Sequence, residues 1–267
     1  MDIQILKKIV EKLDGGENVA LVILTETKGS APGKDNSSMA VFENGEICGT
    51  IGGGPIEFDL IKQAKKALED DEEKSFDYTL NEKQEVKMSC GGRNKGYIKI
   101  FRANPSLIIF GAGHVGQKLA RVAVNTNFDV TVVDQREDFE DKKDLENIRE
   151  FVISNPKDFA STYKFNKNTY ILICTPDYDE EVLENVIDKD YKFLGMIGSK
   201  RKVKRVFDNL KEKGVSEDLL KKVHAPVGYD IDDGSVEEIA ISILSLMISI
   251  KNNKVIENLK KYKPLNI

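Results

Sequence analysis

Three glycines in the segment 107–134 could hold the phosphates of a nucleotide-type cofactor. Gly111, Gly113 and Gly116 have the G-x-G-x-x-G spacing and follow the short apolar run 107–110. The first glycine permits a tight turn, the second lets backbone approach a pyrophosphate, and the third lets the following helix pack closely on the strand. The helix N-terminus then presents free amides and the positive end of its dipole to an anion.

An acidic residue completes this pattern after the second apolar run. Asp134 lies 23 positions after Gly111, close to the offset of about 20 residues expected for an acid that binds a ribose hydroxyl. Arg136 beside it leaves NAD versus NADP open. His114 lies within the glycine turn, where we expect it to contact phosphate or to pack. Strand, glycine turn, helix, strand and acid together predict dinucleotide-type binding.

A second glycine-rich helix start precedes Pro55. Gly52, Gly53 and Gly54 are consecutive, and consecutive glycine amides can form a nest that binds an anion. Proline suits the first helical turn because its missing N–H is not needed there. The alternative is a tight strand-to-helix turn without a ligand.

A third candidate anion site is the helix start at Gly198 and Ser199. Lys200, Arg201 and Lys202 follow in the first turn, where cations oppose the helix dipole. The arrangement is easier to explain if an anion binds there. A solvated basic face is the alternative.

The cysteines suggest one reactive thiol. Cys90 is followed by Gly91 and Gly92, so an accessible thiol would lie beside nest-forming backbone, with Arg93 near enough to favour the thiolate. The alternative is a small residue in a turn. Three cysteines without CxxC spacing argue against a disulfide framework or a zinc ribbon, and we expect the other two, Cys48 and Cys174, in the core.

The elements that position these residues indicate two domains. Residues 1–103 show mixed helices and strands, which predicts an α+β domain, and Ala103-Asn104-Pro105 is the expected boundary. Residues 104–267 alternate strand and helix, which predicts a Rossmann-like, doubly wound parallel sheet and an α/β protein overall. Ligands of such sheets bind at the carboxyl ends of the strands. The apolar helix expected over 235–252 is a candidate to pack between the domains.

Composition narrows the class of protein. Among 267 residues, 40% are hydrophobic and 32% charged, which suits a soluble globular protein. The net charge of −5 argues against generic nucleic-acid binding. The N-terminus lacks the apolar core and cleavage site of a signal peptide, and the longest apolar run is too short to span a bilayer comfortably. We therefore expect a cytoplasmic protein with no nucleic-acid or membrane partner.

Taken together, seven stretches resemble one family, the xanthine dehydrogenase accessory proteins (XdhC/CoxI family). The resemblance covers nearly the whole chain in order, and the ordered set is far more specific than any one stretch. The stretches are GSAP at 29–32, GTIGGGPIE at 49–57, CGG at 90–92, GAGHVG at 111–116, VTVVDQRE at 130–137, GMIGSKRK at 195–202 and APVGYDI…EEIAISIL at 225–244.

The resemblance implies an XdhC/CoxI domain over 1–103, a C-terminal Rossmann domain, and a role in maturing molybdenum hydroxylases. Such proteins are thought to bind molybdenum cofactor (molybdopterin or its dinucleotide form), protect it, and help its sulfuration and insertion into the apoenzyme. Cys90 matches the cysteine of the family's CGG element, so it is a candidate contact to the cofactor; no metal site made by protein ligands alone is expected. The implied partners are a molybdenum hydroxylase apoenzyme and a cysteine desulfurase, with a homodimer as the expected assembly.

Two positions depart from the family pattern. Gly33 stands after the GS-x-P element, where family members often carry arginine. Thr175 is followed by Pro176 and Asp177, whereas the family often has histidine there.

Two other functions remain open, so whether the chain is an enzyme is left undecided. One is an NAD(P)-dependent oxidoreductase, which the Rossmann pattern permits. Its weakness is the lack of a clear acid–base group, because the only histidines are His114 and His224. The other is a nucleotide-sensing regulatory scaffold, in which a bound nucleotide biases a conformation.

Overall fold

The computed structural model describes residues 2–29, 31–79, 92–139, 143–231 and 233–254. The chain divides into two compact units, Met1–Asn104 and Pro105–Ile267.

The N-terminal unit is a five-stranded antiparallel sheet with a helix on each face. The strand order is β3-β2-β1-β5-β4. Its elements are α1 (Ile3–Asp14), β1 (Val19–Lys28), β2 (Ser38–Phe42), β3 (Ile47–Thr50), α2 (Gly54–Asp70), β4 (Lys74–Thr79) and β5 (Arg93–Phe101).

Helical periodicity explains how α1 and α2 cover this sheet. Ile5 and Ile9 lie one turn apart on α1 and pack in one apolar cluster with Val19, Leu21 and Phe42. Helix α2 buries its own apolar stripe in a second cluster, on the opposite face of the same sheet. The members from α2 are Ile56, Leu60, Ala64 and Ala67.

The C-terminal unit is a five-stranded parallel sheet of order β10-β9-β6-β7-β8. The strands are β6 (Ser106–Phe110), β7 (Asp129–Asp134), β8 (Glu150–Ile153), β9 (Thr169–Ile173) and β10 (Phe193–Met196). The helices are α3 (His114–Ala123), α4 (Pro156–Thr162), α5 (Asp179–Val186), α6 (Lys200–Glu212), α7 (Glu217–Leu220) and α8 (Val236–Lys251). The mixed α/β class with a Rossmann-like parallel sheet is confirmed.

The sheet grows in opposite directions from β6, which lies between β7 and β9. This is the topological switch point at which open α/β sheets form a ligand crevice. Helices α3 and α8 share one apolar cluster with the sheet, and α4, α5, α6 and α7 share the cluster on the opposite face.

Helix α8 packs against α3 inside the C-terminal unit. Ala240, Ile243 and Met247 of α8 lie in the same cluster as Leu119 and Ala123 of α3. These residues of α8 are therefore buried within its own unit, and packing of 235–252 between the domains stays a prediction. Across the described ranges, no helix combines the length and the apolar composition needed to cross a bilayer.

Candidate cofactor-binding site

The glycine turn after β6 has a different physical reason for each glycine. Gly111 has φ of 108°, and a Cβ there would lie 2.7 Å from the Cys174 carbonyl oxygen. A Cβ on Gly116 would lie 2.0 Å from the Gly111 carbonyl oxygen, so only glycine lets α3 approach the strand so closely. A Cβ on Gly113 would meet nothing within 4 Å. The backbone at Gly113 is therefore open to an approaching ligand.

His114 is the first residue of α3 and is exposed. Its side chain stands at the helix N-terminus, where amides lack intrahelical partners. The second histidine, His224, stacks on Phe193 with ring centroids 4.8 Å apart. The two histidines thus have different surroundings, and the stacking of His224 suits a structural role.

Asp134 ends β7 and is almost completely buried, with 4% of its surface exposed. The Ala112 amide donates a hydrogen bond to its Oδ2 over 2.7 Å. Arg136 donates to Oδ1 from its backbone N–H (3.0 Å) and Nε (2.9 Å), and to Oδ2 from Nη2 (2.7 Å). Burial raises the pKa of Asp134, but these hydrogen bonds outweigh it and hold the pKa below its usual value. The carboxylate therefore connects the glycine turn to the residues that follow β7 through hydrogen bonds.

A small cavity of about 90 Å³ lies beside this carboxylate. The Tyr178 hydroxyl donates to Gln135 Oε1 over 3.1 Å and so connects the loops after β7 and β9. The departure from the family pattern at 176–177 falls in the wall of this cavity. The lining residues are Asp134, Gln135, Arg136, Pro156, Thr175, Pro176, Asp177 and Tyr178.

One of the basic side chains at the start of α6 forms an internal ion pair. Lys202 Nζ pairs with Asp179 Oδ2, and Thr175 Oγ1 donates to Asp179 Oδ1 over 2.6 Å. Asp179 is only 3% exposed, so the cation compensates a buried carboxylate. This pairing accounts for one of the predicted cations without a bound anion. Ser199 caps α6 by accepting from the Lys202 amide, as the sequence suggested.

The other two cations of that turn lie on the surface. Lys200 and Arg201 are exposed, and neither forms an ion pair with the residues that the structure describes. They follow Gly198 and stay available to a ligand at the carboxyl end of β10.

Three glycine-containing segments of the N-terminal unit converge at one end of its sheet. A Cβ on Gly92 would lie 2.4 Å from the Ala31 amide nitrogen, and one on Gly52 would lie 2.3 Å from the Gly33 nitrogen. Asn94 Nδ2 donates to the Pro32 carbonyl oxygen over 3.0 Å. Gly33, where the family often has arginine, has φ of 86°, and a Cβ there would lie 2.1 Å from the Ile51 carbonyl oxygen. Glycine is therefore required by this packing.

One amide of the predicted nest at 52–54, that of Gly53, already donates to an anionic group of the same chain, the side chain of Glu57. Its Oε2 accepts hydrogen bonds from the amides of Ile51 (3.0 Å) and Gly53 (3.1 Å), and from Thr50 Oγ1 (2.5 Å). All three glycines have positive φ, at 120°, 77° and 76°. The sequence pattern did not reveal this internal carboxylate one helical turn later, and binding of an external anion at 52–54 stays a prediction.

Cys90, the predicted reactive thiol, and Gly91 lie outside the described residues. Arg93, expected to favour the thiolate, donates to Asp77 from Nε over 2.8 Å and from Nη2 over 2.5 Å, so its guanidinium is directed to that carboxylate. Among the residues that are described, no group of three His, Cys, Asp or Glu side chains could hold a metal ion.

Comparison with known proteins identifies two matching family models. The model described as the XdhC Rossmann domain matches residues 107–247, and the model described as the XdhC and CoxI family matches residues 13–79. The first match covers more than half of the chain.

Two curated proteins are similar over much of the sequence. The uncharacterized protein YqeB of Escherichia coli (strain K12) is 32% identical over 242 residues, which cover 88% of this chain and 44% of that protein. A Bacillus subtilis (strain 168) protein, named as a probable subunit of xanthine dehydrogenase, is 24% identical over 157 residues, covering 58% of this chain and 46% of that protein. The chain spans less than half the length of either relative.

One solved structure shares the fold. It is a crystal structure from Bacillus halodurans described as a xanthine dehydrogenase, with a TM-score of 0.52 and 20% identity, covering 96% of this chain and 97% of that one.

Proposed function

Because the chain belongs to the XdhC and CoxI family, we propose that it is an accessory protein for a xanthine dehydrogenase-type molybdenum hydroxylase. Its role is to bind molybdenum cofactor and deliver it to the apoenzyme. The Bacillus subtilis relative is named as a probable subunit of xanthine dehydrogenase, which supports this type of partner.

The observation that carries the proposal is the open backbone at Gly113. Nothing lies within 4 Å of the position that a Cβ would take there, and the residue caps the N-terminus of α3 at the switch point of the sheet. Helix N-termini of this kind bind phosphate through free amides and the dipole. The phosphate group of a molybdopterin cofactor fits this chemistry, and Lys200 and Arg201 supply further positive charge at the carboxyl edge of the same sheet.

As a separate proposal, which the family resemblance suggests, Cys90 contacts the metal centre of the cofactor. Thiolates are ligands of soft metal centres, and Cys90 lies two residues before Gly92, which packs on Ala31. When bound, the cofactor would supply the molybdenum centre, and the glycine turn of this chain would hold its phosphate.

The proposal is tested by the pterin content of the purified full chain. Protein incubated under reducing conditions with molybdenum cofactor released from a molybdenum hydroxylase is desalted, and bound pterin is measured by fluorescence after acid oxidation. We expect Cys90→Ser to lose most of the bound pterin, while Cys48→Ser, at a half-buried cysteine on β3, retains it. A wild-type chain that binds no pterin contradicts the proposal.

The same preparation distinguishes the oxidoreductase and scaffold hypotheses. Binding of NAD(H) or NADP(H) with substrate turnover would replace the proposal by an enzyme. Nucleotide binding without turnover or pterin would favour a regulatory scaffold. Retention of the hydroxylase apoenzyme on immobilised protein, expected only for the pterin-loaded chain, tests delivery; a cysteine desulfurase partner and a homodimer remain predictions.

A further inference from the structure

The carboxylate that should accept a ribose diol in a Rossmann site is saturated in this protein. A carboxylate offers about four acceptor positions. Four donors reach Asp134: the Ala112 amide, the Arg136 amide, and Nε and Nη2 of Arg136, at 2.7–3.0 Å. A ribose with free 2′ and 3′ hydroxyls would therefore find no free acceptor at the end of β7.

Arg136 is held in this position from two sides. Its guanidinium binds the Asp134 carboxylate in a bidentate geometry. Such pairs are among the strongest hydrogen-bonded pairs in proteins. The guanidinium carbon also lies 4.4 Å from the centre of the Phe139 ring. Displacing it would break two charge-assisted bonds and a cation–π contact, whereas hydroxyl groups would return two bonds to the carboxylate.

Arg136 lies at the end of β7, where a Rossmann site is expected to hold the ribose. Both Asp134 and Arg136 line the cavity of about 90 Å³ at the carboxyl end of β7, opposite Thr175 to Tyr178 on the β9 side. The side chain of Arg136 is 43% exposed toward solvent, so a substitution there removes no part of the apolar core.

We propose that Arg136 is a specificity-determining residue that closes the ribose-diol subsite of the Rossmann domain. The site then takes ligands that present a phosphate to the glycine turn and no free ribose diol to Asp134, and it rejects adenine nucleotides with such a diol. The inference rests on the carboxyl edge of the C-terminal sheet alone, so it can hold or fail whether or not the chain binds a pterin.

The test removes the arginine and asks for a gain of nucleotide binding. ADP is titrated by calorimetry into the full chain carrying Arg136→Ala or Arg136→Met, the second keeping an unbranched side chain over Phe139. We expect ADP to bind either variant at least about fivefold more tightly than wild type, in line with hydroxyl hydrogen bonds to a charged acceptor. The matched ligand control is 2′,3′-dideoxy-ADP, for which we expect no gain.

A double variant links the gain to the carboxylate. Asp134→Asn combined with Arg136→Ala keeps an oxygen that can accept from the Ala112 amide but removes the charge, and we expect it to lose most of the gain. ADP affinity that is unchanged or weaker in both single variants, or undetectable in all proteins, overturns the proposal. An equal gain with the dideoxy nucleotide also overturns it, because Arg136 would then block by bulk alone.

Discussion

The Glu57 carboxylate oxygen Oε2 lies 3.1 Å from the amide nitrogen of Gly53 and accepts its hydrogen bond. The same oxygen accepts from Ile51 and Thr50. A loop whose glycines suggested an external anion is therefore ordered by an anion of its own chain. The glycines supply the backbone conformation, and α2 supplies the charge from its first turn.

Removing this charge should destabilise the N-terminal unit. We expect Glu57→Ala to lower the free energy of unfolding by about 1–2 kcal/mol, because two amides lose their acceptor at a helix start. Chemical denaturation measures the change. The matched control is Glu69→Ala on the same helix, an exposed position where we expect a change within about 0.5 kcal/mol. Equal effects at both positions would show that the loop does not depend on Glu57.

The Glu57 variant also tests whether the nest accepts an external anion. With the carboxylate gone, phosphate should raise the melting temperature of Glu57→Ala by more than that of wild type, because it occupies the vacated amides. Thermal unfolding with and without phosphate at constant ionic strength gives the comparison. Identical shifts in both proteins would exclude phosphate binding at the amides of Ile51 and Gly53.

The pH dependence of stability should carry a contribution from Glu57. Burial raises the pKa of this carboxyl, but hydrogen bonds from Thr50, Ile51 and Gly53 outweigh it and leave the pKa below the usual 4.5. A lowered folded-state pKa gives stability that is present above pH 4.5 and lost as pH falls through the folded-state value. We therefore expect the stability difference between wild type and Glu57→Gln to shrink below about pH 4.5; a constant difference down to pH 3 would contradict this assignment.

Breaking the Lys202–Asp179 pair should cost more than removing its exposed neighbour. Lys202→Ala leaves Asp179, 3% exposed, with the Thr175 hydroxyl as its remaining described partner. We expect a loss of about 2–4 kcal/mol in the free energy of unfolding, since a buried carboxylate loses its counter-ion. The control is Lys200→Ala in the same turn, expected to stay within about 0.5 kcal/mol. A small effect at Lys202 would mean that solvent compensates Asp179.

Substitutions at two glycines of the Rossmann turn should affect the free energy of unfolding and pterin binding separately. Gly116→Ala places a Cβ 2.0 Å from the Gly111 carbonyl oxygen, so we expect a loss of about 2 kcal/mol or more from overpacking. Gly113→Ala meets no atom within 4 Å and should leave stability nearly unchanged. The Gly113 variant should nevertheless bind less pterin in the fluorescence assay, because its methyl group occupies the open face of the turn. Pterin binding that is unaffected by Gly113→Ala would move the phosphate site elsewhere.

The thiol of Cys174 should resist modification in the folded protein. Its Sγ lies 3.2 Å from the carbonyl oxygens of both Phe110 and Gly111, which share its single S–H donor. Burial raises the pKa of the thiol, with a smaller contribution from Asp179. Since the thiolate is the reactive form, we expect a maleimide to label Cys174 only after denaturation. Mass spectrometry of labelled peptides measures this, with Cys48 as the internal comparison, because both residues are half-buried but the Cys48 thiol forms no hydrogen bond in the described part of the chain. Labelling of native Cys174 as fast as Cys48 would contradict the assignment.

Periodicity and glycine spacing were enough to predict most of the fold. The alternation after residue 104 predicted the parallel sheet because each buried strand is a short apolar run and each helix has an apolar face. The predicted strands 107–110 and 130–133 correspond to Ser106–Phe110 and Asp129–Asp134. Two short helices, α4 and α7, were not predicted, because seven and four residues give too few turns to show a period.

What the sequence alone determined was the local geometry of the site. The spacing of Gly111, Gly113 and Gly116 assigned each glycine a conformational role, because the turn needs a positive φ at Gly111 and a Cβ on Gly116 would meet the Gly111 carbonyl oxygen within the same βαβ unit. The pattern at 52–54 likewise indicated an anion nest, and Ser199 indicated a helix cap.

Only the tertiary structure decided which charged groups remain free for a ligand. Lys202 is compensated by Asp179 from another helix, Asp134 is saturated by Ala112 and Arg136, and the Gly53 amide of the nest donates to Glu57. Hydrogen-bond acceptors and counter-ions come from segments that are distant in sequence, and the sequence does not specify which donor pairs with which acceptor. The physical reason is that a motif fixes which groups a segment offers, whereas packing fixes how many of those groups are already bound.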